Sequence, residues 1–246
     1  MRNIRVILQY EGTKYQGWQR QDSTGNTIQG RLEALLSKMC GTKIEVTGAG
    51  RTDAGVHAFG QVANFHIDTD QTPKEIMDYM NSYLPEDIAV IEASEVWERF
   101  HSRLNAKGKT YCYRVINSDI PHVFDRRYVY QVKEPLDVDA MKTAAGMLCG
   151  QHDFKAFTSS KKGKKSTVRT VDSINIEKTG DEIRFTFTGD GFLYHMVRIM
   201  MGTLLEVGMH KREAAQTEKL FQNGNREEAG MLVPAMGLTL VEVHYL

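Results

Sequence analysis

A short loop with three glycines, one carboxylate and one guanidinium is the segment of this sequence best suited to chemistry. It spans residues 48–57 and places Asp53 two positions after Arg51. Glycines let the backbone turn tightly and approach a ligand closely. An acid and a cation presented by a loop on a rigid scaffold are a common way to build a site. The residues alone leave open the alternative that Asp53 caps a turn and Arg51 is solvated.

The elements that must position this loop are predicted by the hydrophobic pattern of the first hundred residues. Alternating apolar residues indicate strands, and apolar residues at helical spacing indicate helices. The resulting strand–helix–strand–strand–helix–strand order is that of a ferredoxin-like unit. In chain order, the predicted elements are a strand at 4–10, a helix at 28–39 that ends at Gly41, strands at 44–47 and 62–67, a helix from the capping box at 72–75 to Tyr83, and a strand at 88–96. The side of the second helix that we expect to be buried comprises Ile76, Tyr79, Met80 and Tyr83.

The second half of the sequence predicts a variation on the same pattern. Tyr111 and Tyr113 fall on one face of a predicted strand. Arg198 lies off the apolar stripe of a predicted helix, and Gly202, one turn later, leaves room for another element such as the Asp53 loop. The predicted elements are a strand at 109–117, a helix from Asp137 to Gly150, a hairpin of 168–178 and 183–188, helices at 192–207 and 212–223, and a strand at 238–245.

Composition excludes several classes of protein. Of the 246 residues, 41% are hydrophobic and 25% charged, which is ordinary for a protein with a real core. No apolar stretch approaches the ~20 residues of a membrane span, and we expect no signal peptide because the N-terminus begins directly with a strand pattern. Cys40, Cys112 and Cys149 are too far apart for a disulfide framework or a paired zinc-ligand spacing. We therefore expect a reducing cytosol and no structural metal.

Charge is balanced overall but unevenly distributed. Residues 101–170 hold fourteen Lys or Arg against six Asp or Glu, whereas residues 1–100 hold ten against fourteen. The highest concentration is a lysine-rich segment formed by Lys161, Lys162, Lys164 and Lys165, followed by Arg169. Such a run is often only a solvated loop, but it is also the pattern of a loop that contacts phosphates.

The loop and several other segments follow one another in an order that is typical of a known family. The loop region reads GRTDAGVHAFGQVANF over residues 50–65. The other segments are YQGWQ at 15–19, TIQG at 27–30, NSYLPEDI at 81–88, RFHSR at 99–103, KTYCYR at 109–114, GFLYHMVR at 191–198 and GLTL at 237–240.

These motifs resemble those of the tRNA pseudouridine synthases of the TruA type, and the resemblance covers essentially the whole chain. It implies an α+β fold of two ferredoxin-like halves joined through a mainly antiparallel central sheet, with the active-site cleft between the halves. We expect the N-terminal half to span residues 1–103 and the C-terminal half residues 104–246, with an irregular connection at 118–130.

The resemblance also implies roles for four residues. Asp53 corresponds to the catalytic aspartate, which acts either as a nucleophile on C1′ of the ribose or by assisting formation of a glycal intermediate. Arg198 corresponds to the arginine that orients this aspartate, and Tyr111 to the tyrosine that stacks on the target base. Arg51 corresponds to an arginine that holds the flipped nucleotide or fills the space it leaves; a loop-stabilising role stays open. His57 and His195 are not needed as general bases.

The implied reaction is the isomerisation of uridine to pseudouridine at positions 38, 39 and 40 of the tRNA anticodon stem-loop, in the cytoplasm. It requires no cofactor and no metal, and the family acts as a homodimer. Two alternatives stay open on sequence grounds. One is a non-catalytic RNA-binding protein on the same scaffold, and the other is a ribonucleosidase that releases free uracil. The preferred uridine, and whether a second enzyme shares the work, are not determined by the sequence.

Overall fold

The computed structural model describes residues 1–160 and 166–245, and it divides the chain into two compact units. The first unit comprises residues 1–107 together with the chain from Thr239 onward, and the second comprises residues 108–238. The predicted halves, 1–103 and 104–246, differ from this division chiefly at the C-terminus. The last strand groups with the first unit because it pairs with a strand there, a long-range contact that the sequence pattern does not encode.

Both units contain helices as well as strands, which gives a mixed α+β fold as predicted. In chain order the elements are β1 (Arg2–Tyr10), α1 (Ile28–Cys40), β2 (Val46–Gly48), β3 (His57–Ile67), α2 (Pro73–Tyr83), β4 (Ile88–Val96), β5 (Gly108–Asn117), β6 (Tyr130–Val132), α3 (Val138–Leu148), β7 (Gly150–Asp153), β8 (Val168–Thr179), β9 (Glu182–Gly189), α4 (Met196–Gly208), α5 (Gln216–Asn223) and β10 (Leu238–His244).

The first unit has the strand order of a ferredoxin-like sheet. Strand β1 lies between β4 and β3 and is antiparallel to both. Strand β2 pairs antiparallel with the second half of β3, and β10 pairs parallel with its beginning, where Thr239 lies opposite His57. The long strand β3 therefore carries the Asp53 loop at one end and is fixed along its length by partners from three parts of the chain.

Helix α2 shows how local sequence defines a boundary. The Thr72 side chain accepts a hydrogen bond from the Glu75 amide, and the Glu75 carboxylate accepts one from the Thr72 amide, which completes the predicted capping box. Pro73 occupies the first turn, where its missing N–H leaves no bond unmade. Ile76 and Met80 are buried as predicted, whereas Tyr83 is exposed. The prediction that Tyr83 is buried is wrong: it is the last residue of α2, and its ring packs on Tyr79 one turn earlier.

The second unit is built on the strand order β5–β9–β8–β7, with antiparallel neighbours throughout this series and β6 added parallel to β5. Helix α3 begins at its predicted cap, Asp137, whose carboxylate accepts from the Ala140 amide. It packs against α4 and β8. Most residues of α4 are buried, so this helix forms the centre of the unit.

Several boundaries differ from the predicted ones. Strand β3 begins at His57 rather than residue 62, because β1 and β10 provide pairing partners that far back. Helix α4 begins at Met196 rather than residue 192, because His195 has a φ of 66°, a left-handed conformation that cannot continue an α-helix. The short strands β6 and β7 were not predicted. None of the helices in the described part of the chain has the length and apolar character that a membrane span requires.

Candidate functional site

The loop that carries Asp53 connects β2 to β3 in the first unit. Asp53 is half-buried and Arg51 is exposed. The amide of Val56 donates to the carbonyl of Asp53 over 3.1 Å, and Gly55 has a φ of 81°, so the chain turns sharply directly after the carboxylate. This turn presents Asp53 near the surface while its main chain is held in a hydrogen-bonded conformation.

Thr52 anchors the loop to the core. Its hydroxyl is hydrogen-bonded to the Tyr10 hydroxyl over 2.8 Å, and both side chains are buried. Its carbonyl accepts from the amide of Trp18 over 2.9 Å. Gln61 holds the other side of the loop by donating to the carbonyl of Gly50 over 2.9 Å. Two hydrogen bonds to main-chain carbonyls and one to the Thr52 side chain therefore hold the chain before Asp53 against distant residues.

Gly17 allows the chain to pass close beneath the Asp53 loop. It has a φ of 89°, and a Cβ atom built there would lie 2.7 Å from the carbonyl oxygen of Thr52. A real Cβ does not come so close to a backbone atom, so only glycine fits both the conformation and the space. The YQGWQ motif therefore has a structural role: its main chain packs against the loop at Thr52.

Two buried side chains, Tyr10 and His57, support the loop through hydrogen bonds. Burial raises the pKa of the Tyr10 hydroxyl well above its usual range, although its hydrogen bonds to Thr52 and Gln61 act in the opposite direction. Tyr10 therefore stays protonated at neutral pH. His57 is also buried, and its Nδ1 accepts from the amide of Gly12 over 3.0 Å. That ring nitrogen is used for a backbone contact, in keeping with a structural histidine.

Tyr111 lies on β5 in the second unit, with an exposed fraction of 8%. The ring of Phe192 approaches it edge-on, with the centroids 5.4 Å apart and the planes at 89°. Such T-shaped pairs stabilise the orientation of both rings. Phe192 belongs to the segment that precedes α4, so this contact connects Tyr111 to the same stretch of chain that carries Arg198.

Arg198 lies in the first turn of α4 and is half-buried. Its Nε donates to the carbonyl of Val233 over 2.8 Å. Beside it, the Tyr113 hydroxyl donates to the carbonyl of Pro234 over 2.8 Å. Burial raises the pKa of Tyr113, while the positive charge of Arg198 acts to lower it. The bond at Nε restricts the direction in which the guanidinium fork can point.

The close approach at Gly202 involves a different partner from the predicted one. A Cβ atom there would lie 1.9 Å from the carbonyl oxygen of Met231, and the amide of Gly230 donates to the Thr203 hydroxyl over 3.0 Å. The segment around Gly230 and Met231, rather than the Asp53 loop, occupies the space that this glycine leaves. The prediction failed because a small residue on a helix indicates a close contact but not its partner.

His195 connects the start of α4 to the segment before the lysine-rich run. Its Nδ1 and the Ser159 hydroxyl are 2.9 Å apart, and its ring stacks on Tyr194 with the centroids 3.7 Å apart. The carbonyl of Tyr194 accepts from the Thr158 hydroxyl over 3.0 Å. These contacts hold the segment in front of Arg198 against residues 158–159, which is a structural use of His195.

The predicted RNA-contacting residues are only partly covered by the structure. Arg169 is half-buried on β8, and its Nη1 donates to the carbonyls of Ser166 and Val168 over 3.1 and 2.6 Å. The other members of the predicted set, Lys161, Lys162, Lys164 and Lys165, lie outside the described residues.

Two of the predicted residues, Arg51 and Asp53, lie in one loop of the first unit. In the second unit, Tyr111 contacts Phe192, which shortly precedes the helix that carries Arg198. Sequence reasoning missed the residues that support them. Thr52 and Gln61 carried a signal, since polar residues in apolar strands or next to them need buried partners. The described residues contain no cluster of three or more His, Cys, Asp or Glu side chains that could hold a metal ion.

Comparison with known proteins identifies the family. The family model described as tRNA pseudouridine synthase matches residues 6–105 and 144–246. A protein of Bacillus sp. (strain KSM-64) named tRNA pseudouridine synthase A is 46% identical over 245 residues, which cover 100% of both chains. A protein of Clostridium perfringens named tRNA pseudouridine synthase A 2 is 44% identical over 245 residues, again covering 100% of both chains. A third, from Acetivibrio thermocellus and named tRNA pseudouridine synthase A, is 44% identical over 246 residues with the same coverage. With such agreement over its whole length, the chain belongs to the tRNA pseudouridine synthase family.

Proposed function

We propose that this protein isomerises uridine to pseudouridine at positions 38, 39 and 40 in the anticodon stem-loop of tRNAs. The observation that carries the proposal is the Asp53 loop. A single half-buried carboxylate is presented by a loop whose main chain is fixed through Thr52 and Gly50. A carboxylate held in this way is suited to act on one atom of a bound substrate without reorganising. Family membership supplies the reaction in which that carboxylate takes part.

The reaction rearranges one nucleoside without an external reactant. The bond between N1 of uracil and C1′ of the ribose breaks, the base rotates, and a bond forms between C5 and C1′. The proton on C5 is lost and N1 gains a proton, so atoms and electrons balance. Asp53 acts either by attacking C1′ or by assisting formation of a glycal, and both routes require its ionised form. Since no electron is exchanged and no group passes to another molecule, neither route requires a cofactor or a metal ion.

Arg198 is proposed as the cation that keeps this carboxylate ionised and oriented. Its Nε is already used by the Val233 carbonyl, so the remaining N–H groups point in a defined direction. Charge-assisted bonds from a guanidinium are stronger than those between neutral groups, and the rigid fork limits how the acceptor can be placed.

Tyr111 is proposed to stack on the target base. The edge-on contact with Phe192 fixes the orientation of the Tyr111 ring. Stacking on an aromatic ring contributes ~1–3 kcal/mol per base and tolerates rotation of the base in its plane. Arg51, exposed in the Asp53 loop, is proposed to hold the flipped nucleotide. Extruding a uridine from a stem costs a few kcal/mol, which such contacts must offset.

The remaining parts of the proposal concern partners and location. We propose a cytoplasmic homodimer that binds tRNA, by analogy with the family. The local excess of basic residues between 101 and 170 is the feature of this chain that fits a polyanionic substrate. Arg169 and the lysine-rich segment before it are proposed to contact phosphates of the tRNA.

The proposed function is tested by tritium release from unmodified tRNA that is labelled at C5 of its uridines. We expect release by the wild-type protein, with pseudouridine mapped by reverse transcription to positions 38–40. Asp53→Ala is expected to lower the rate by at least ~10³-fold, because the group that acts on the ribose is lost. Asp22→Ala is the matched control, since Asp22 is an exposed aspartate in another loop of the first unit.

Three other outcomes would contradict the proposal. No tritium release by the wild-type protein, with tRNA binding intact, would favour a non-catalytic RNA-binding protein. Free uracil among the products would indicate a ribonucleosidase. Equal rates for the wild-type and Asp53→Ala proteins would remove Asp53 from the chemistry while leaving the family assignment intact.

A further inference from the structure

A solvent-open cavity of about 490 Å³ lies in the first unit, outside the Asp53 loop. Its volume falls within the range of ~300–1,000 Å³ that is usual for ligand sites. The chain before α1, the first turn of α1 and the segment at the end of α2 form its walls. Side chains on these walls include Lys14, Tyr15, Arg31, Tyr83, Pro85 and Asp87.

Two family motifs meet at this cavity, and the proposed chemistry uses neither of them. Tyr15 opens the YQGWQ motif, and Tyr83 and Asp87 belong to NSYLPEDI. Asn81 in the second motif has a structural use: its amide both donates to and accepts from the main chain of Val90, each over 2.8 Å. Four later residues of the motif, Tyr83, Leu84, Pro85 and Asp87, line the cavity instead.

Tyr83 provides an aromatic surface at the cavity. It is 64% exposed, although the helical pattern predicts that it is buried. Its ring contacts Tyr79 at a centroid distance of 4.7 Å, which holds it in place at the end of α2. An exposed, supported aromatic ring in an RNA-modifying enzyme is suited to stacking with a base.

The charged lining favours an anionic ligand. Asp87 is already compensated, because the Tyr15 hydroxyl donates to its carboxylate and the Lys14 ammonium lies 3.6 Å away. Arg31 adds a second positive charge. Burial and the neighbouring Asp87 raise the pKa of the Tyr15 hydroxyl, and the charge of Arg31 acts in the opposite direction. Lys14 and Arg31 are both exposed. The lining thus has one positive charge more than it has negative ones, next to an aromatic ring.

A segment that contributes to the cavity wall also contacts the Asp53 loop. Residues 12–17, which include Lys14 and Tyr15, contact the loop at two points. The Gly12 amide donates to His57 Nδ1, and Gly17 lies close to the carbonyl oxygen of Thr52. The cavity and the Asp53 loop thus share one supporting segment within the first unit.

We propose that the cavity binds one nucleotide of the tRNA other than the target uridine, with its base on Tyr83 and its phosphate beside Lys14 and Arg31. This inference rests on the proposed function, because it takes the tRNA substrate from it. The site increases substrate affinity and has no part in the bond rearrangement. Its contribution is therefore to KM rather than to kcat.

The test compares steady-state kinetics on an unmodified tRNA transcript at several salt concentrations. Tyr83→Ala is expected to raise KM about tenfold at unchanged kcat, because a stacking contact is lost. Arg31→Ala is expected to raise KM and to reduce the slope of log KM against log salt by about one, as expected for one phosphate contact. Tyr83→Phe retains the ring, and Lys38→Ala removes an exposed cation from the same helix away from the cavity; both should behave as wild type.

The inference is overturned if Tyr83→Ala and Arg31→Ala retain the wild-type KM and salt slope. It is also overturned if they lower kcat at unchanged KM, since that would indicate a disturbance of the Asp53 loop. A loss of thermal stability in Tyr83→Ala alone would leave Arg31→Ala as the deciding variant, because Arg31 is exposed. If the wild-type protein makes no pseudouridine, the proposed function fails, and dissociation constants from filter binding with the same transcript still decide whether the cavity binds RNA.

Discussion

The Asp53 loop of the first unit and the region around Arg198 in the second present their functional side chains in different ways. Asp53 lies in irregular chain, and its position depends on buried hydrogen bonds from Tyr10, Trp18 and Gln61 to the loop. Arg198 projects from the first turn of a regular helix, and a bond from its Nε to the Val233 carbonyl helps to direct it.

The difference separates two kinds of dependence on the fold. A loop without internal regularity must take its conformation from distant residues, so we expect changes far from Asp53 to affect both stability and activity. A helix positions its side chains through its own geometry, so we expect changes at Arg198 to affect activity with little effect on stability. The predictions below test this contrast, from the largest expected effect to the smallest.

Arg198→Ala is expected to lower kcat by about 10²–10³-fold, because a positioned cation that stabilises an ionised group is lost. The free energy of unfolding, measured by urea denaturation, should change by less than ~1 kcal/mol, since α4 keeps its buried apolar contacts. The kcat of Arg198→Lys should lie between those of the wild-type protein and Arg198→Ala, because lysine keeps the charge but loses the planar fork. A large loss of stability in Arg198→Ala would show that this residue is structural and would break the comparison.

Gly17→Ala is expected to lower the free energy of unfolding by about 2–4 kcal/mol, because it combines an unfavourable φ with a clash against the Thr52 carbonyl. It should also lower kcat, since relief of the clash displaces the chain next to Asp53. Gly25→Ala is the matched control, because nothing lies within 4 Å of a Cβ atom at that position. Urea denaturation and tritium release measure the two effects, and wild-type activity in Gly17→Ala would show that the loop tolerates displacement.

Thr52→Val tests the buried hydroxyl pair. It keeps the shape of the side chain but removes the partner of the Tyr10 hydroxyl, which should cost about 1–2 kcal/mol of stability. Activity should fall as well, because Thr52 directly precedes Asp53. Thr203→Val is a suitable comparison in the second unit, since Thr203 is also buried and bonded, to the carbonyl of Ile199 and the amide of Gly230. A similar loss of stability in both variants, with activity lost only in Thr52→Val, would sharpen the contrast.

The pH dependence of stability provides the smallest test. Burial raises the pKa of Tyr10 in the folded protein, so the unfolded chain releases this proton first as the pH rises. The stabilisation is complete below the unfolded tyrosine pKa of about 10 and decreases above it, by about 1.4 kcal/mol per pH unit for one such group. Urea denaturation between pH 9 and 11 should show a shallower decline for Tyr10→Phe than for wild type. An identical slope would mean that the Tyr10 hydroxyl titrates normally.

Local sequence was sufficient to predict the elements whose boundaries are encoded by neighbouring residues. Thr72, Pro73 and Glu75 define the start of α2 through bonds within one turn. Gly41, with a φ of 68°, ends α1 for the same local reason. The β8–β9 hairpin also followed from its own turn residues, around Gly180. In each case the partners are only a few residues apart, so the pattern contains the whole interaction.

Other features depend on partners that lie far away in the sequence. The start of β3 at His57 requires β10, and the start of α4 at Met196 follows from the conformation that His195 adopts beside Ser159. No pattern within a short window contains these contacts, because each joins residues that only the folded chain brings together.

The sequence by itself determined the family, the mixed α+β pattern, and the motif residues on which the proposed chemistry depends. Those follow from residue types and spacing, which are local properties of the chain. Only the tertiary structure decided that Thr52 is bonded to Tyr10, that Arg198 is directed by the Val233 carbonyl, and that two motifs form a cavity around Tyr83. The physical reason is that hydrogen bonds and packing act over a few ångströms in space, whatever the separation of the residues along the chain.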